Sequence, residues 1–189
     1  MPRIALDIDS TLHHYWDLLD GLSQQRFGVA LPYKEQVGWG IHQLEPAQVK
    51  HLIDESHSDE NIETAEPYPD AVETVRAWHE QGHWIHITSH RAERTRRATE
   101  RWLDRIGMPY DDLHCSYDKV TRCVELEIDV LVDDSPANLE NAREQGIVGA
   151  TIVHPWNEAL VERDGLIGAR DWRELRVLLE PVLSGLPQG

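Results

Sequence analysis

Short apolar runs parted by helix-length segments constrain this chain more than any other feature of its sequence. Runs of β-branched and aliphatic residues lie at 3–7, 83–88, 112–116, 129–133 and 149–154. Most are separated by stretches whose apolar residues recur at helical spacing. That alternation predicts a parallel sheet covered by helices, because parallel neighbours need long crossovers and doubly covered strands must be apolar throughout. Ala71, Val72, Val75, Ala77 and Trp78 predict one helix over 71–79, with Gly82 as its stop. A second is expected over 92–106, with Trp102, Leu103 and Ile106 on its apolar side and Gly107 at its end. A third should follow Ser135, where Pro136 suits a first turn and Gly146 a terminus. The last, over 171–183, carries Trp172, Leu175, Leu178, Leu179 and Val182 at helical spacing.

One stretch breaks this rhythm. Residues 13–66 separate the first strand from the next unit by far more than an ordinary connection. Helical patterns at 15–27 and 46–53 are joined there by the turn-prone "GVALPYKEQVGWG". A small helical cap inserted after strand one is the economical reading, with 1–12 and 67–189 as the core. The acidic "DESHSDENIETAEP" is expected to be a solvated loop or hinge leading back into the core. A chain of 189 residues suits one domain with room for such an insertion.

The charge excludes some partners. With 34 acidic against 18 basic residues the formal net charge is −16, which repels polyphosphate backbones, so no nucleic-acid partner is expected. A small phosphorylated ligand in one local positive pocket is compatible with it. No apolar run approaches the roughly 20 residues of a membrane helix, no secretory signal is visible, and a cytoplasmic location is expected. Cys115 and Cys123 lack the spacing of a zinc site and read as reduced packing residues. The oligomeric state stays open, a homodimer included.

The first run, "RIALDIDSTL", ends in Asp7 and Asp9 with Ser10 and Thr11 behind them. Carboxylates gathered in a poorly hydrated place raise one another's cost, and a divalent cation is the usual compensation. Ligands collect at the carboxyl ends of strands in an open parallel sheet. Three other strand ends carry reactive groups there: Thr88 and Ser89 in "HITSHR", Asp118 and Lys119 in "SYDK", Asp133 and Asp134 in "VLVDDSP". Hydroxyl, lysine and paired carboxylates are the inventory for moving a phosphoryl group with magnesium.

In these residues the chain resembles the haloacid dehalogenase-like hydrolase superfamily. Asp7, Asp9 and Thr11 match its Asp-x-Asp-x-Thr motif, Thr88 its second, Lys119 its third, and Asp133 with Asp134 its fourth, in order. The resemblance implies an α/β, Rossmann-like three-layer sandwich with a mainly parallel sheet and a C1-type cap. A narrower likeness is to the bacterial and mitochondrial 5'(3')-deoxyribonucleotidase group, through "TS", "DK", "DD" followed by Pro, "HPWN" and Trp172. It implies a magnesium-dependent phosphatase acting on a small phosphomonoester, with a (deoxy)nucleoside monophosphate favoured. A sugar phosphate or other small ester is the alternative, and a non-catalytic phosphate-binding protein a further one.

The same resemblance assigns roles. Asp7 would be the nucleophile that forms an aspartyl-phosphate, and Asp9 the acid and base, which requires a raised pKa. Asp7, the backbone carbonyl of Asp9 and Asp134 would hold Mg2+. Lys119 would neutralise nucleophile and phosphate, Thr88 would bond the transferring group, and Asp133 would orient Lys119 or a metal-bound water. Ser89 and Arg91 complete the expected phosphate contacts, Arg91 being the member of the Arg91, Arg94, Arg96, Arg97 patch nearest the helix start.

Each motif alone has a plainer reading. "DID" and "VDDSP" serve as turns and helix caps, Thr88 and Ser89 as caps, a lone lysine as a solvated charge. Their joint occurrence at four strand ends is what favours chemistry. Eleven histidines include no His-Glu-x-x-His helix, and His13 and His14 would point apart on a helix. His86 shares a strand face with Thr88 and reads as a hydrogen-bonded core residue. Tyr15, Trp16, Phe27 and Trp39 are candidates for stacking on a nucleobase, against the commoner use of such aromatics as the insertion's own core.

Overall fold

The computed structural model describes residues 1–38, 40–116, 118–164 and 166–186. Trp39 therefore lies outside the described residues. Six strands, β1 (Arg3–Leu6), β2 (Trp84–Ser89), β3 (Asp112–Cys115), β4 (Val130–Val132), β5 (Val148–Ile152) and β6 (Ile167–Ala169), form one sheet in the order β3-β2-β1-β4-β5-β6. Every pairing is parallel. Side chains alternate across the sheet as strand geometry demands. Ile4 and Leu6 of β1 and Val130 and Val132 of β4 enter one core, whereas Ala5 and Leu131 enter the other.

Helices supply the outer layers. The larger core is covered by α4 (Ala71–Glu80), α5 (Arg96–Ile106) and α9 (Trp172–Gly185), which bury Trp78, Trp102 and Trp172. The smaller is covered by α6 (Lys119–Glu125) and α7 (Pro136–Glu144), through Cys123 and Ala142. Gly107 ends α5 at φ 67°, a left-handed conformation that glycine adopts without steric cost. Asp171 caps α9, its Oδ1 accepting from the Glu174 amide at 2.8 Å. The short elements α6, α8 (Glu158–Asp164) and β6 were not expected. At seven residues or fewer they offer too little pattern to read.

The segment between β1 and α4 holds α1 (Tyr15–Phe27), a 3₁₀ turn (Tyr33–Glu35), α2 (Pro46–Ser56) and α3 (Asp59–Thr64). Its two ends run side by side: the Tyr68 amide donates to the Leu12 carbonyl at 2.7 Å, and His13 bridges to Pro67. Between them Trp16, Leu19, Leu22, Leu31, Leu44 and Leu52 form a separate small core, closed by Trp156 from the loop after β5. Phe27 packs in that core against His51. The segment predicted to be a solvated loop is in fact helical. Ser58 caps α3, Ile62 is buried, and Arg101 of α5 binds Glu63 at 2.6 Å and Asp59 at 3.0 Å. One apolar residue among many acids conceals this helix from a periodicity argument, and packing on α5 makes it stable.

Candidate active site

Sheet order explains where the reactive groups meet. The order of strands reverses beside β1, so the carboxyl ends of β1 and β4 lie next to each other at the switch point of the sheet. The Asp7 amide donates to the Val132 carbonyl at 2.9 Å, which fixes the first carboxylate beside Asp133 and Asp134. The chain then turns sharply. Ser10 takes a left-handed φ of 61°, an unfavourable conformation for a residue with a Cβ. Three long-range bonds hold that turn: His154 Nε2 donates to the Ser10 carbonyl at 2.7 Å, Tyr33 Oη donates to His154 Nδ1 at 2.7 Å, and Trp172 Nε1 donates to the Thr11 carbonyl at 2.9 Å. "HPWN" and Trp172 thus support the turn that follows β1.

Lys119, the first residue of α6, is buried with Nζ 2.5 Å from Asp7 Oδ1 and 3.0 Å from Asp133 Oδ2. Asp133 Oδ1 also accepts from the Ser135 amide at 2.8 Å and from Asn138 Nδ2 at 3.1 Å. Asp133 is thereby occupied in orienting the lysine. Trp156 Nε1 and Asn157 Nδ2 donate to the Asp134 carbonyl at 3.2 and 3.1 Å, leaving its carboxylate to the site. Burial pushes the Asp7 carboxyl up to about 7, against the pull of Lys119, and Asp133 and Asp9 add to the rise. Burial also drives Asp134 well above the usual carboxylate range, reinforced by Asp7 and Asp133. Burial would lower the Lys119 ammonium, but the Asp133 and Asp7 charges outweigh it and hold the lysine charged.

Asp7, Asp133 and Asp134 bring carboxylate oxygens within 4.8 Å of one another, all buried. One ammonium offsets one of the three carboxylates, and in so dry a place the other two are neutralised either by protons, as their raised pKa values imply, or by a cation. A hard divalent ion with oxygen preference fits these residues.

Asp9 behaves differently from the expected acid. Burial would raise its carboxyl, yet the Arg91 guanidinium, with His13 and His57 beside it, holds it well below the usual range. Arg91 was expected to face a substrate anion. Instead it is 1% exposed and binds Asp9 through Nη2 at 2.8 Å and Nε at 3.2 Å. Thr88 and Ser89 are fully buried at the end of β2. Thr88 Oγ1 has no partner among the described residues, while Ser89 Oγ accepts from the Arg91 amide at 3.2 Å. His86 lies stacked between the rings of Trp84 and His114. Its Nδ1 is 3.1 Å from Asp112 Oδ2 without hydrogen-bond alignment, so the expected bonded core histidine is a stacked one.

A cavity of about 260 Å³ opens beside these groups. Asp7, Asp9, Lys119 and Asp134 are among its polar walls, and Tyr15, Trp16, Leu19, Ile41, Val49 and Ile53 among its apolar ones. Tyr15 and Trp16 are thus the expected aromatics that reach it; Phe27 is not among its walls. His57 and Asn138, also on its wall, were not singled out by the sequence. Asn138 had a readable signal, since the first turn of a helix that follows a strand faces the strand end. His57 had none.

Known proteins match this arrangement at three levels. The family model described as "5' nucleotidase, deoxy (Pyrimidine), cytosolic type C protein" matches residues 2–180. A Bacillus cereus protein designated a nucleotidase, by name only, is 30% identical over 153 residues, covering 73% of this chain and 79% of its own. A like-named Oceanobacillus iheyensis protein is 27% identical over 156 residues, covering 74% and 80%. Among solved structures, a hydrolase from Pseudomonas syringae superposes with a TM-score of 0.67 at 13% identity, covering 96% of this chain and 99% of that one. A HAD family hydrolase from Deinococcus radiodurans, described with bound phosphate and sodium, gives 0.66 at 14%, covering 97% and 95%. Those distant structures establish the α/β fold of the haloacid dehalogenase-like hydrolases. With nearly its whole length matched, this phosphomonoester hydrolase belongs to the 5' nucleotidase, deoxy (pyrimidine), cytosolic type C family.

Proposed function

We propose that the protein is a magnesium-dependent phosphatase that hydrolyses a nucleoside monophosphate, a deoxy one favoured, through an aspartyl-phosphate on Asp7. The observation that carries this reading is the buried Lys119, Asp7, Asp133, Asp134 cluster on the wall of a mainly apolar cavity. Mg2+ held by Asp7, Asp134 and the Asp9 carbonyl would supply charge neutralisation at the phosphate. Asp7 attacks phosphorus as the ester bond breaks, and Asp9 serves as the acid for the leaving oxygen only once the charge of the bound phosphate offsets the Arg91 guanidinium that otherwise holds its carboxyl ionised. Water then attacks the aspartyl-phosphate, loses a proton to Asp9 and frees Asp7. Lys119 keeps Asp7 and Asp133 in place, and the unpartnered hydroxyl of Thr88 is available to a phosphoryl oxygen.

The other half of the substrate is read from the walls. Ligand pockets for drug-sized molecules span about 300–1,000 Å³, so about 260 Å³ suits a single small monoester. Tyr15, Trp16 and Trp156 with aliphatic neighbours favour a flat, apolar base over a polyhydroxylated sugar. The segment 13–66 that carries most of these residues serves as the cap that excludes water.

Phosphate release from ribo- and deoxyribonucleoside monophosphates and from sugar phosphates, with Mg2+ or chelator, tests the reading. Turnover of nucleotides that is lost with chelator and with Asp7→Asn is the expected result. Release from sugar phosphates alone overturns the substrate, and chelator-resistant release overturns the metal.

A further inference from the structure

The inserted segment supplies most of the cavity's apolar wall, and its polar atoms there are mostly engaged. The Tyr15 hydroxyl is 2.6 Å from Ser56 Oγ, and Trp16 Nε1 donates to the Leu31 carbonyl at 2.8 Å. His57 turns its Nε2 toward Asp9, 3.3 Å away. Among the described residues Gln36 is the segment's one side-chain amide on that wall, and it is 4% exposed. Its Nε2 donates to the Gly38 carbonyl at 2.8 Å and to the Gly40 carbonyl as well. Two carbonyl acceptors fix which end of the amide is nitrogen, since an oxygen there would face two oxygens. Both N–H donors are thereby used, whereas Oε1 accepts from none of the described residues. The backbone is fixed too: the Gln36 amide donates to the Tyr33 carbonyl at 3.1 Å, and Tyr33 is tied to His154 of the core. An acceptor held in this way needs little reordering to bind.

We infer that Gln36 is a specificity-determining residue whose Oε1 accepts an N–H of the nucleobase. The inference deepens the nucleotide reading above and rests on it. Apolar walls hold any flat base alike. An acceptor that a bound base would otherwise bury unpaired ranks bases by the donor they present. A ring N–H of the uracil kind or an exocyclic amino group of the cytosine kind meets it, and an edge offering only a lone pair or a methyl group does not.

The test uses substrates that differ in that donor: deoxyuridine monophosphate and its ring-N-methyl derivative, deoxycytidine monophosphate and its analogue without the amino group, and deoxyribose phosphate, which has no base. In the unaltered protein with Mg2+, removing the donor from the faster parent nucleotide should lower kcat/KM at least about tenfold, chiefly through KM. Gln36→Met, of similar length but without the acceptor, should slow that parent by about as much and be nearly indifferent to the donor's removal. Its loss on deoxyribose phosphate should be smaller. If Gln36 only holds the Gly38 and Gly40 carbonyls, the donor keeps its full worth in Gln36→Met, and that result overturns the inference. Equal turnover of parent and donor-less nucleotides by the unaltered protein overturns it without any variant, and leaves the nucleotide reading standing. Turnover of deoxyribose phosphate and of no nucleotide overturns that reading and this inference with it.

Discussion

Lys119 is the residue on which the site's electrostatics turn. Its ammonium is enclosed with two carboxylates, and removing one partner of a buried ion pair leaves charge uncompensated at a cost of about 3–5 kcal/mol. Lys119→Met should therefore lower the urea midpoint and, by unseating Asp7, cut kcat on a nucleoside monophosphate at least about a hundredfold. A retained midpoint would mean that the pair is more hydrated than its burial implies. His154 makes a second residue-level prediction. Burial lowers its imidazole from the usual 6.5 to about 4, against the Ser10 carbonyl bond that raises it. Below pH 6.5 the unfolded chain takes up a proton that the folded chain refuses, so this stability is complete above 6.5 and is lost as pH falls toward 4. The loss is on the order of 3 kcal/mol. His154→Gln should flatten the fall in Tm between pH 7 and 4, with His86, His13 and His83, whose imidazoles burial also lowers, contributing to what remains.

At the scale of elements, the short helix α3 ties the inserted segment to the core. Trp102 Nε1 donates to the Ala65 carbonyl at 2.8 Å just beyond it, and Ile62 is 1% exposed against the core. Ile62→Ala should cost about 2–4 kcal/mol by urea unfolding, far more than Arg101→Ala, whose ion pairs are exposed. Equal small effects would mean that the segment is anchored elsewhere. The sequence shows the existence and type of the long elements because apolar spacing is a local property of the chain. It hides α3, because the partner surface that makes one isoleucine sufficient lies on α5, some 40 residues further on.

The whole molecule is a strongly acidic protein that concentrates three carboxylates at the carboxyl ends of its two central strands. With Asp7 raised to about 7 and Asp134 raised above the usual range, ionising them costs the fold stability. Without metal this contribution falls as pH rises from the ordinary carboxylate range through 7, the reverse of the histidine effect. A bound cation cancels the cost. The rise in Tm caused by Mg2+ should therefore be small at pH 5, larger at pH 8, and abolished by Asp134→Asn. A metal shift independent of pH would place the ion away from these carboxylates.

By itself the sequence determined the class of sheet and that Asp7, Thr88, Lys119 and Asp134 lie at or just beyond the ends of its strands. Those properties follow from local spacing and from residue chemistry, which need no knowledge of distant neighbours. Only the tertiary structure decided what surrounds each group. Arg91 lies 82 residues from Asp9 in sequence and holds it ionised, whereas it could equally have faced the substrate. His57, in a stretch with no motif, reaches the same carboxylate. A pKa is set by everything within a few ångströms, and folding chooses those neighbours.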